Sequence, residues 1–215
     1  MKHELIYSDN SEYLLVECID ARDAESVKEQ YDYICQHADK AFSMLIITVD
    51  DWNAQLSPWQ AKAVFGNNDF GGKAGDTLRY IREHLPEIKR EYGFTDEVKT
   101  VIGGYSLAAL FALWCGYESG LFCGVAAASP SVWFDGWIEY VKGNTFTPKT
   151  AYLSLGDREE KTKNQRMATV RRNIELQFEL LNENGVDCVF ELNEGNHFKD
   201  ADLRTAKAFL SILNR

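Results

Sequence analysis

The sequence predicts an α/β protein, a three-layer α/β/α sandwich whose central sheet is mostly parallel. Short apolar runs alternate along the chain with longer amphipathic stretches, which is the pattern of strands covered by helices on both faces. The chain of 215 residues, 45% of them hydrophobic, can bury one sizeable core. No internal repeat, low-complexity tract or Pro/Ser-rich linker divides it, so we expect a single domain over residues 1–215.

Six apolar runs predict the strands of this sheet. Each is enriched in β-branched, aliphatic or aromatic residues, as buried strands are. They cover residues 13–19, 42–49, 98–103, 122–128, 151–155 and 188–192. In a mostly parallel sheet, binding sites form at the carboxyl ends of the strands, so the loops that follow these runs are the places to search.

Five stretches with helical periodicity predict the covering helices, at residues 24–37, 76–92, 107–117, 165–184 and 201–213. Asp76 is expected to cap the second of these helices, because it follows the Gly-rich string FGGKAG. Pro86 lies inside the same helix and predicts a kink there or a division into two shorter helices.

The stretch 50–75 is the one long segment without a clear pattern. It exceeds the usual connection between elements, so we expect it to be either functional or mobile. Its GGKAG string lacks the GK[ST] ending of a phosphate-binding loop and does not directly follow a strand. No nucleotide site is therefore predicted.

The formal net charge of −10 disfavours nucleic acid and membrane surfaces as partners, since no run of Lys and Arg offsets it locally. The expected partner is a neutral or cationic small molecule. The five cysteines are widely spaced and form no CxxC pair, which predicts reduced core residues rather than a metal or redox site. An apolar leader and a membrane-length stretch are both missing from the pattern, so a cytoplasmic location is expected.

The most informative motif is VKTVIGGYSLAALFALWCGY, in which a β-branched run, the pentapeptide GYSLA and an unbroken apolar helix follow one another. This pattern is typical of a nucleophile elbow, a strained strand-to-helix turn that exposes a serine hydroxyl. Such a turn admits only small residues two positions before and after the serine, and Ala108 stands where Gly is commonest. Ser106 is therefore the predicted nucleophile, at a helix N-terminus that favours developing negative charge.

A serine hydroxyl needs a base within hydrogen-bond reach, and that base is usually histidine. Of the four histidines, His197 lies in the loop LNEGNHFKDADL between the last strand and the last helix, after Ser106 in chain order. His3 is terminal, and His37 and His84 lie in helical stretches before the elbow, where a solvated histidine is the plainer interpretation. His197 is the predicted base.

The third member of a triad should hold the imidazole in one tautomer and lie between the serine and the histidine in sequence. The segment AYLSLGDREEKTKN ends a strand and offers Asp157, Glu159 and Glu160 in the loop beyond. A turn at Gly156 would bring the third residue after it back over the sheet, which favours Glu159, with Asp157 next. A solvated acidic loop is the alternative for each of the three.

Acyl transfer also needs donors for an oxyanion. The backbone N–H of Leu107, directly after the nucleophile, is one expected donor, and Trp52, in the loop after the second predicted strand, is the expected second. Trp52, Trp59 and Trp133 fall in loops near the expected site and are predicted to line a substrate pocket.

From Asp76 to the string SPSVWF, the chain resembles the esterase family that includes esterase D and the enterochelin-type siderophore esterases, and LSLGDREE and NEGNHF are similar to that family's acid and histidine segments. The resemblance implies a compact α/β-hydrolase fold with Ser106, His197 and either Glu159 or Asp157 as catalytic residues. The departures are Ala108 and a short N-terminal portion without the extra antiparallel strands of larger members.

Together these observations predict a serine hydrolase that cleaves a small carboxylic ester through an acyl-enzyme, with no metal or organic cofactor. Thioester hydrolysis, peptide hydrolysis and acyl transfer use the same side chains and stay open. An inactive binding protein on the same fold is the alternative from another class. The oligomeric state is left open.

Overall fold

The computed structural model describes residues 1–64 and 66–215; Phe65, inside the predicted irregular segment, lies outside the described residues. The strands are β1 (Lys2–Ile6), β2 (Tyr13–Asp20), β3 (Phe42–Val49), β4 (Gln60–Ala61), β5 (Phe70–Gly71), β6 (Lys99–Tyr105), β7 (Gly124–Ala128), β8 (Thr150–Gly156) and β9 (Asp187–Asn193). The helices are α1 (Ala24–His37), α2 (Trp52–Gln55), α3 (Ala74–Glu91), α4 (Ser106–Glu118), α5 (Trp137–Gly143), α6 (Val170–Glu183) and α7 (Ala201–Leu213), with 3-10 turns at Ala21–Asp23 and Met167–Thr169.

The central sheet has seven strands in the order β1-β3-β2-β6-β7-β8-β9. All neighbouring pairs from β3 to β9 are parallel, and only β1 runs antiparallel, against β3. The predicted α/β class and the six predicted strands are confirmed. Because the six parallel strands of this sheet run in one direction, the loops after β3, β6, β7, β8 and β9 all leave from the same edge of the sheet.

The strand β1 corrects the expectation of an N-terminal portion without added antiparallel strands. Its sequence KHELI carries charge, and its first three residues are exposed. Short polar edge strands of this kind resist pairing with other chains and leave little hydrophobic signal in the sequence. The strand is recognisable only through its register, which sets Lys2 opposite Thr48 and Ile6 opposite Met44.

Helices cover both faces of the sheet and bury two hydrophobic clusters. Alternate residues of β2 divide between them: Leu14 and Val16 pack on the face of α3, α4 and α6, and Tyr13 and Leu15 pack on the face of α1 and α7. This division follows from the alternation of side chains along a strand. Helix α4 is apolar on all sides, and the structure accordingly buries every residue from 107 to 116.

Helix α3 differs from its prediction at Asp76 and at Pro86. It begins at Ala74 with Lys73 at the N-cap position, so Asp76 is not the cap; it lies in the first turn, where its carboxylate accepts from Arg79 at 2.8 Å. The helix also runs through Pro86 as one element, so the division into two helices is wrong. Its buried apolar stripe, which includes residues on both sides of the proline, holds both halves against the core.

The stretch 50–75 is more ordered than its sequence suggests, since it contains α2 and the two-stranded pairing of β4 with β5. Close backbone approach explains its glycines: a Cβ on Gly71 would lie 2.6 Å from the Ala54 Cβ, and one on Gly72 would lie 2.5 Å from the Gln60 nitrogen. Across the described ranges, no helix has both the length and the apolar character that crossing a membrane requires.

Candidate active site

Ser106 lies at the junction of β6 and α4, as the first residue of the helix. Its φ is +57°, a left-handed conformation that is uncommon for a residue with a side chain. The turn before it needs glycine, because Gly104 has a φ of +153° and a Cβ there would lie 2.8 Å from the Ala108 Cβ. The strand-to-helix turn therefore has the strained geometry that the motif predicts, and it admits alanine at position 108.

His197 contacts Ser106 from the loop between β9 and α7. Its Nε2 lies 2.9 Å from the Ser106 Oγ, and the ring is about one-fifth exposed. The backbone of this loop is held by Tyr105, whose hydroxyl donates to the His197 carbonyl at 2.6 Å. The residue that precedes the serine thus fixes the position of the histidine.

Glu159 contacts the other nitrogen of the same ring. Its Oε2 lies 2.7 Å from the His197 Nδ1, and its side chain is only 4% exposed. When Nδ1 donates to this carboxylate, Nε2 is left as the acceptor for the serine hydroxyl. The structure thus joins Glu159, His197 and Ser106, three residues that lie far apart in sequence, in one chain of hydrogen bonds.

The carboxylate of Glu159 is held ionised although it is buried. Burial opposes ionisation, but hydrogen bonds from His197, the Gly156 N–H and the Ser129 hydroxyl outweigh it and keep the pKa of Glu159 below its ordinary value. The Gly156 N–H and the Ser129 Oγ both donate to Oε1, each at 2.7 Å. A carboxylate in this state can stabilise a charged imidazole.

The two other candidate acids lie elsewhere in the same loop. Asp157 is about half exposed and accepts from the Gly195 N–H at 2.7 Å, which lowers its pKa; it braces the histidine loop without contacting the ring. Glu160 is half-buried and hydrogen-bonds to neither His197 nor Ser106. Geometry therefore selects Glu159 from the three acids that the sequence leaves open.

The positions of the expected oxyanion donors are compatible with such a role. Leu107 is the second residue of α4, and Trp52 is the first residue of α2, the short helix that begins three residues after the end of β3. Both residues line the same cavity as Ser106. Within the described residues, neither N–H donates to a protein acceptor, so both remain available to a ligand oxygen.

A cavity of about 460 Å³ opens beside Ser106. Most of its walls are apolar, and two cationic side chains, Arg158 and Lys161, also line it. The expectation of a neutral or cationic ligand, which rested on the net charge of the whole chain, does not match these local charges. The other residues that line the cavity with Ser106 and His197 are Trp52, Asn53, Val64, Phe70, Leu107, Ser131, Trp133, Glu159, Thr162, Met167, Asn196 and Phe198.

Trp59 is not part of this lining, which corrects one of the three tryptophan predictions. Its Nε1 donates to the Asp135 carbonyl at 2.7 Å, and its half-buried ring packs against the core residues Phe134 and Trp137 and against Tyr140. A second cavity of about 480 Å³ lies along β1 and α1, away from Ser106.

Sequence reasoning missed two buried polar residues at the site, Ser129 and Arg204. Ser129 follows β7 with a φ of +45°, and Arg204 lies in the first turn of α7, 2% exposed, with NH1 3.2 Å from Glu159 Oε1. The sequence did contain a signal for Arg204: this charged residue lies one helical turn before the buried Ala208, on a helix face that is otherwise apolar. No group of three His, Cys, Asp or Glu side chains suited to a metal ion occurs in residues 1–64 and 66–215.

Sequence comparison gives no match to a family model or to a curated protein. Structure comparison finds an IroE-like serine hydrolase from Shewanella oneidensis, with a TM-score of 0.78 and 14% identity over 99% of this chain and 75% of that one. The siderophore hydrolase EstA from Aspergillus nidulans gives 0.69 and 18%, over 95% and 83% of the two chains. The enterobactin esterase FES from Shigella flexneri gives 0.68 and 19%, over 99% and 56%. These likenesses show that the chain has the α/β-hydrolase type of fold that the sequence resemblance implied.

Proposed function

We propose that this chain is a serine esterase that cleaves a small-molecule carboxylic ester with Ser106, His197 and Glu159. The observation that carries the proposal is the hydrogen-bonded chain from Glu159 through His197 to Ser106, with distances of 2.7 Å and 2.9 Å, beside an open cavity. The structurally similar proteins include a serine hydrolase, a siderophore hydrolase and an enterobactin esterase, which agrees with the proposal.

In the first half of the proposed reaction, the Ser106 Oγ attacks the ester carbonyl carbon while its proton passes to the His197 Nε2. The carbonyl π electrons move to oxygen, and the tetrahedral intermediate then collapses with cleavage of the bond to the leaving alkoxy group. His197 returns the proton to that leaving oxygen. Glu159 stabilises the imidazolium throughout and is not itself protonated.

The negative charge on the oxygen of the tetrahedral intermediate is stabilised, in this proposal, by two backbone N–H groups and by helix α4. The N–H groups of Leu107 and Trp52 are the proposed donors, and the N-terminal end of α4 adds a favourable field. In the second half, water loses a proton to the His197 Nε2 and attacks the acyl carbon, and the bond to Ser106 breaks as the serine regains its proton. The acid and the free serine are the products.

The cavity lining supports an apolar acyl or alkoxy group as the main recognition element. Trp52, Phe70 and Trp133 form apolar walls close to Ser106, while Arg158 and Lys161 favour a neutral or anionic substituent over a cationic one. The single-domain organisation and the cytoplasmic location remain predictions.

The proposal is tested with chromogenic p-nitrophenyl esters of increasing acyl length and with a fluorophosphonate probe. Wild type should turn over at least one ester and should be labelled at Ser106, and Ser106→Ala should lower kcat by roughly 10⁵-fold or more with an unchanged melting temperature. Ser131→Ala is the matched control, because its hydroxyl lies in the same cavity, 3.4 Å from the Ser106 Oγ. Retained turnover in Ser106→Ala, or labelling at another residue, would refute the assignment.

A further inference from the structure

Arg204 is a fully buried cation behind the candidate triad. Its side chain is 2% exposed, although arginine is almost never buried without a partner. The only carboxylate within ion-pair distance, in the part of the chain that the structure describes, is that of Glu159, with NH1 3.2 Å from Oε1. The guanidinium lies on the oxygen that faces away from His197.

The same guanidinium joins the ends of several strands. NH1 lies 3.3 Å from the Tyr105 hydroxyl and 3.4 Å from the Ser129 Oγ, and NH2 donates to the Glu194 carbonyl at 3.0 Å. Tyr105 is the last residue of β6, Ser129 and Glu194 come directly after β7 and β9, and Glu159 lies in the loop after β8. Arg204 therefore contacts a residue beside the nucleophile, a residue that holds the acid, and the loop that carries the histidine.

The surrounding backbone leaves room for this ion pair. A Cβ on Gly156 would lie 3.0 Å from both the Arg204 NH1 and the Glu159 Oε1, and 2.4 Å from the Gly195 carbonyl oxygen. Glycine is thus required at the end of β8, where the backbone passes the ion pair. The pair is a built feature of the fold and not a chance contact between long side chains on the surface.

We infer that Arg204 is a positioning residue for Glu159, which directs Oε2 at His197 and supplies the buried carboxylate with its cationic partner; the inference rests on the proposed function. Oε1 already accepts from Ser129, the Gly156 N–H and Arg204. With three donors on Oε1, the carboxylate cannot rotate without breaking all of them, so Oε2 stays on the ring. A buried carboxylate without its cation would shift toward the neutral form, which cannot stabilise an imidazolium.

The groups that titrate against this pair are few. Tyr105 contacts Arg204 from the end of β6, and burial raises the pKa of its phenol, so it stays neutral at acid and neutral pH. His197 contacts Glu159 from the loop after β9. The acid limb of a pH–rate profile is therefore expected to respond to the loss of a charge beside Glu159.

Substitution separates the charge of Arg204 from its geometry. Arg204→Met should lower kcat about 100-fold with little change in KM, and should move the acid limb of kcat/KM up by about one pH unit. Arg204→Lys keeps the charge but loses the planar fork, so it should lower kcat about tenfold while the acid limb stays within a few tenths of a unit of wild type. A merely structural arginine would change the melting temperature and leave the limb where it is.

Two further variants cover the case in which Arg204→Met does not fold. Arg204→Ala leaves a guanidinium-sized space, so guanidinium chloride at tens of millimolar, far below denaturing concentrations, should restore kcat several-fold. Arg215→Met is the matched control, because its guanidinium also binds an acid, Asp187, at 3.0 Å, but at the opposite edge of the sheet. It should show neither the shifted limb nor the rescue.

A proton NMR measurement distinguishes failure of this inference from failure of the proposed function. The downfield resonance of the His197 Nδ1 proton reports its hydrogen bond to Glu159 whether or not the chain turns over an ester. If Arg204→Met retains that resonance and the wild-type acid limb, the inference is overturned while the Ser106 assignment stands. If the resonance depends on Arg204 but wild type neither turns over esters nor reacts with the fluorophosphonate, the proposed function fails and the positioning role stands.

Discussion

Replacing Glu159 with glutamine should change the tautomer of His197. In wild type, Oε1 accepts from Ser129, the Gly156 N–H and Arg204. These donors will select the amide oxygen of the glutamine and force its NH₂ group into the position of Oε2, 2.7 Å from the His197 Nδ1. An NH₂ group donates, so Nδ1 must become the acceptor, and the ring proton moves to Nε2.

The size of the effect follows from this tautomer. A protonated Nε2 cannot accept the Ser106 proton, so the base is blocked while the nucleophile and the oxyanion donors stay in place. Loss of the correct tautomer in a Ser-His-Asp triad lowers kcat about 10⁴-fold, or about 5 kcal/mol in the barrier. Because Arg204 also loses the buried carboxylate with which it pairs, we expect Glu159→Gln to reduce the free energy of unfolding by about 3 kcal/mol.

The assay is kcat and KM on the best p-nitrophenyl ester, with urea unfolding in parallel. Asp157→Asn and Glu160→Gln are the controls, since each removes one negative charge from the same loop without touching the ring; both should retain kcat within about tenfold. The reasoning is refuted if Glu159→Gln keeps kcat within tenfold of wild type, or if either control loses as much activity as it does.

Three further predictions follow from single residues. Burial raises the pKa of Glu17 from 4.5 to about 7, so the folded state loses stability as pH rises between those values. Glu17→Gln should therefore be more stable than wild type by about 3 kcal/mol at pH 8 and by much less at pH 5; an equal gain in urea unfolding at both pH values would contradict this. Gly156→Ala should lower both kcat and the melting temperature, because its Cβ would lie 2.4 Å from the Gly195 carbonyl oxygen and 3.0 Å from Glu159 Oε1. Gly143→Ala is the control, since a Cβ there meets no neighbouring group within 4 Å, and it should change neither quantity. Equal behaviour of the two variants would contradict the prediction. Phe198 is 84% exposed and lines the cavity, so Phe198→Ala should raise KM several-fold and leave the melting temperature unchanged. A lower melting temperature or an unchanged KM would contradict a role of Phe198 in substrate binding.

Elements with a strong local pattern are predictable from the sequence. The predicted bounds of α1 and α7 agree with the structure at residues 24–37 and 201–213, and the strand 42–49 agrees at both ends. Their apolar residues recur with the period of the element, so each segment carries its own signal. The elements that escaped prediction, β1, α2, α5 and the β4–β5 pairing, are short or polar and are stabilised by neighbours remote in sequence.

Among the residues of the candidate site, too, some are predictable from local sequence patterns and others are not. Ser106 and His197 can be picked from the sequence, because a strand-to-helix turn with small flanking residues and a histidine loop after the last strand are local patterns. The choice among Asp157, Glu159 and Glu160 is not local. It depends on how the turn at Gly156 passes the histidine loop, and the sequence argument favoured Glu159 only by the expected direction of that turn.

The sequence by itself determined the class of the fold, the order of its main elements and two of the three residues in the hydrogen-bonded chain, because periodicity and turn chemistry act over a few neighbouring residues. Only the tertiary structure decided which carboxylate meets His197, which tryptophans line the cavity, and that Arg204 lies behind Glu159. Those contacts join the ends of β6, β7, β8 and β9, whose proximity is set by strand order in the sheet and leaves no mark on any single segment of the chain.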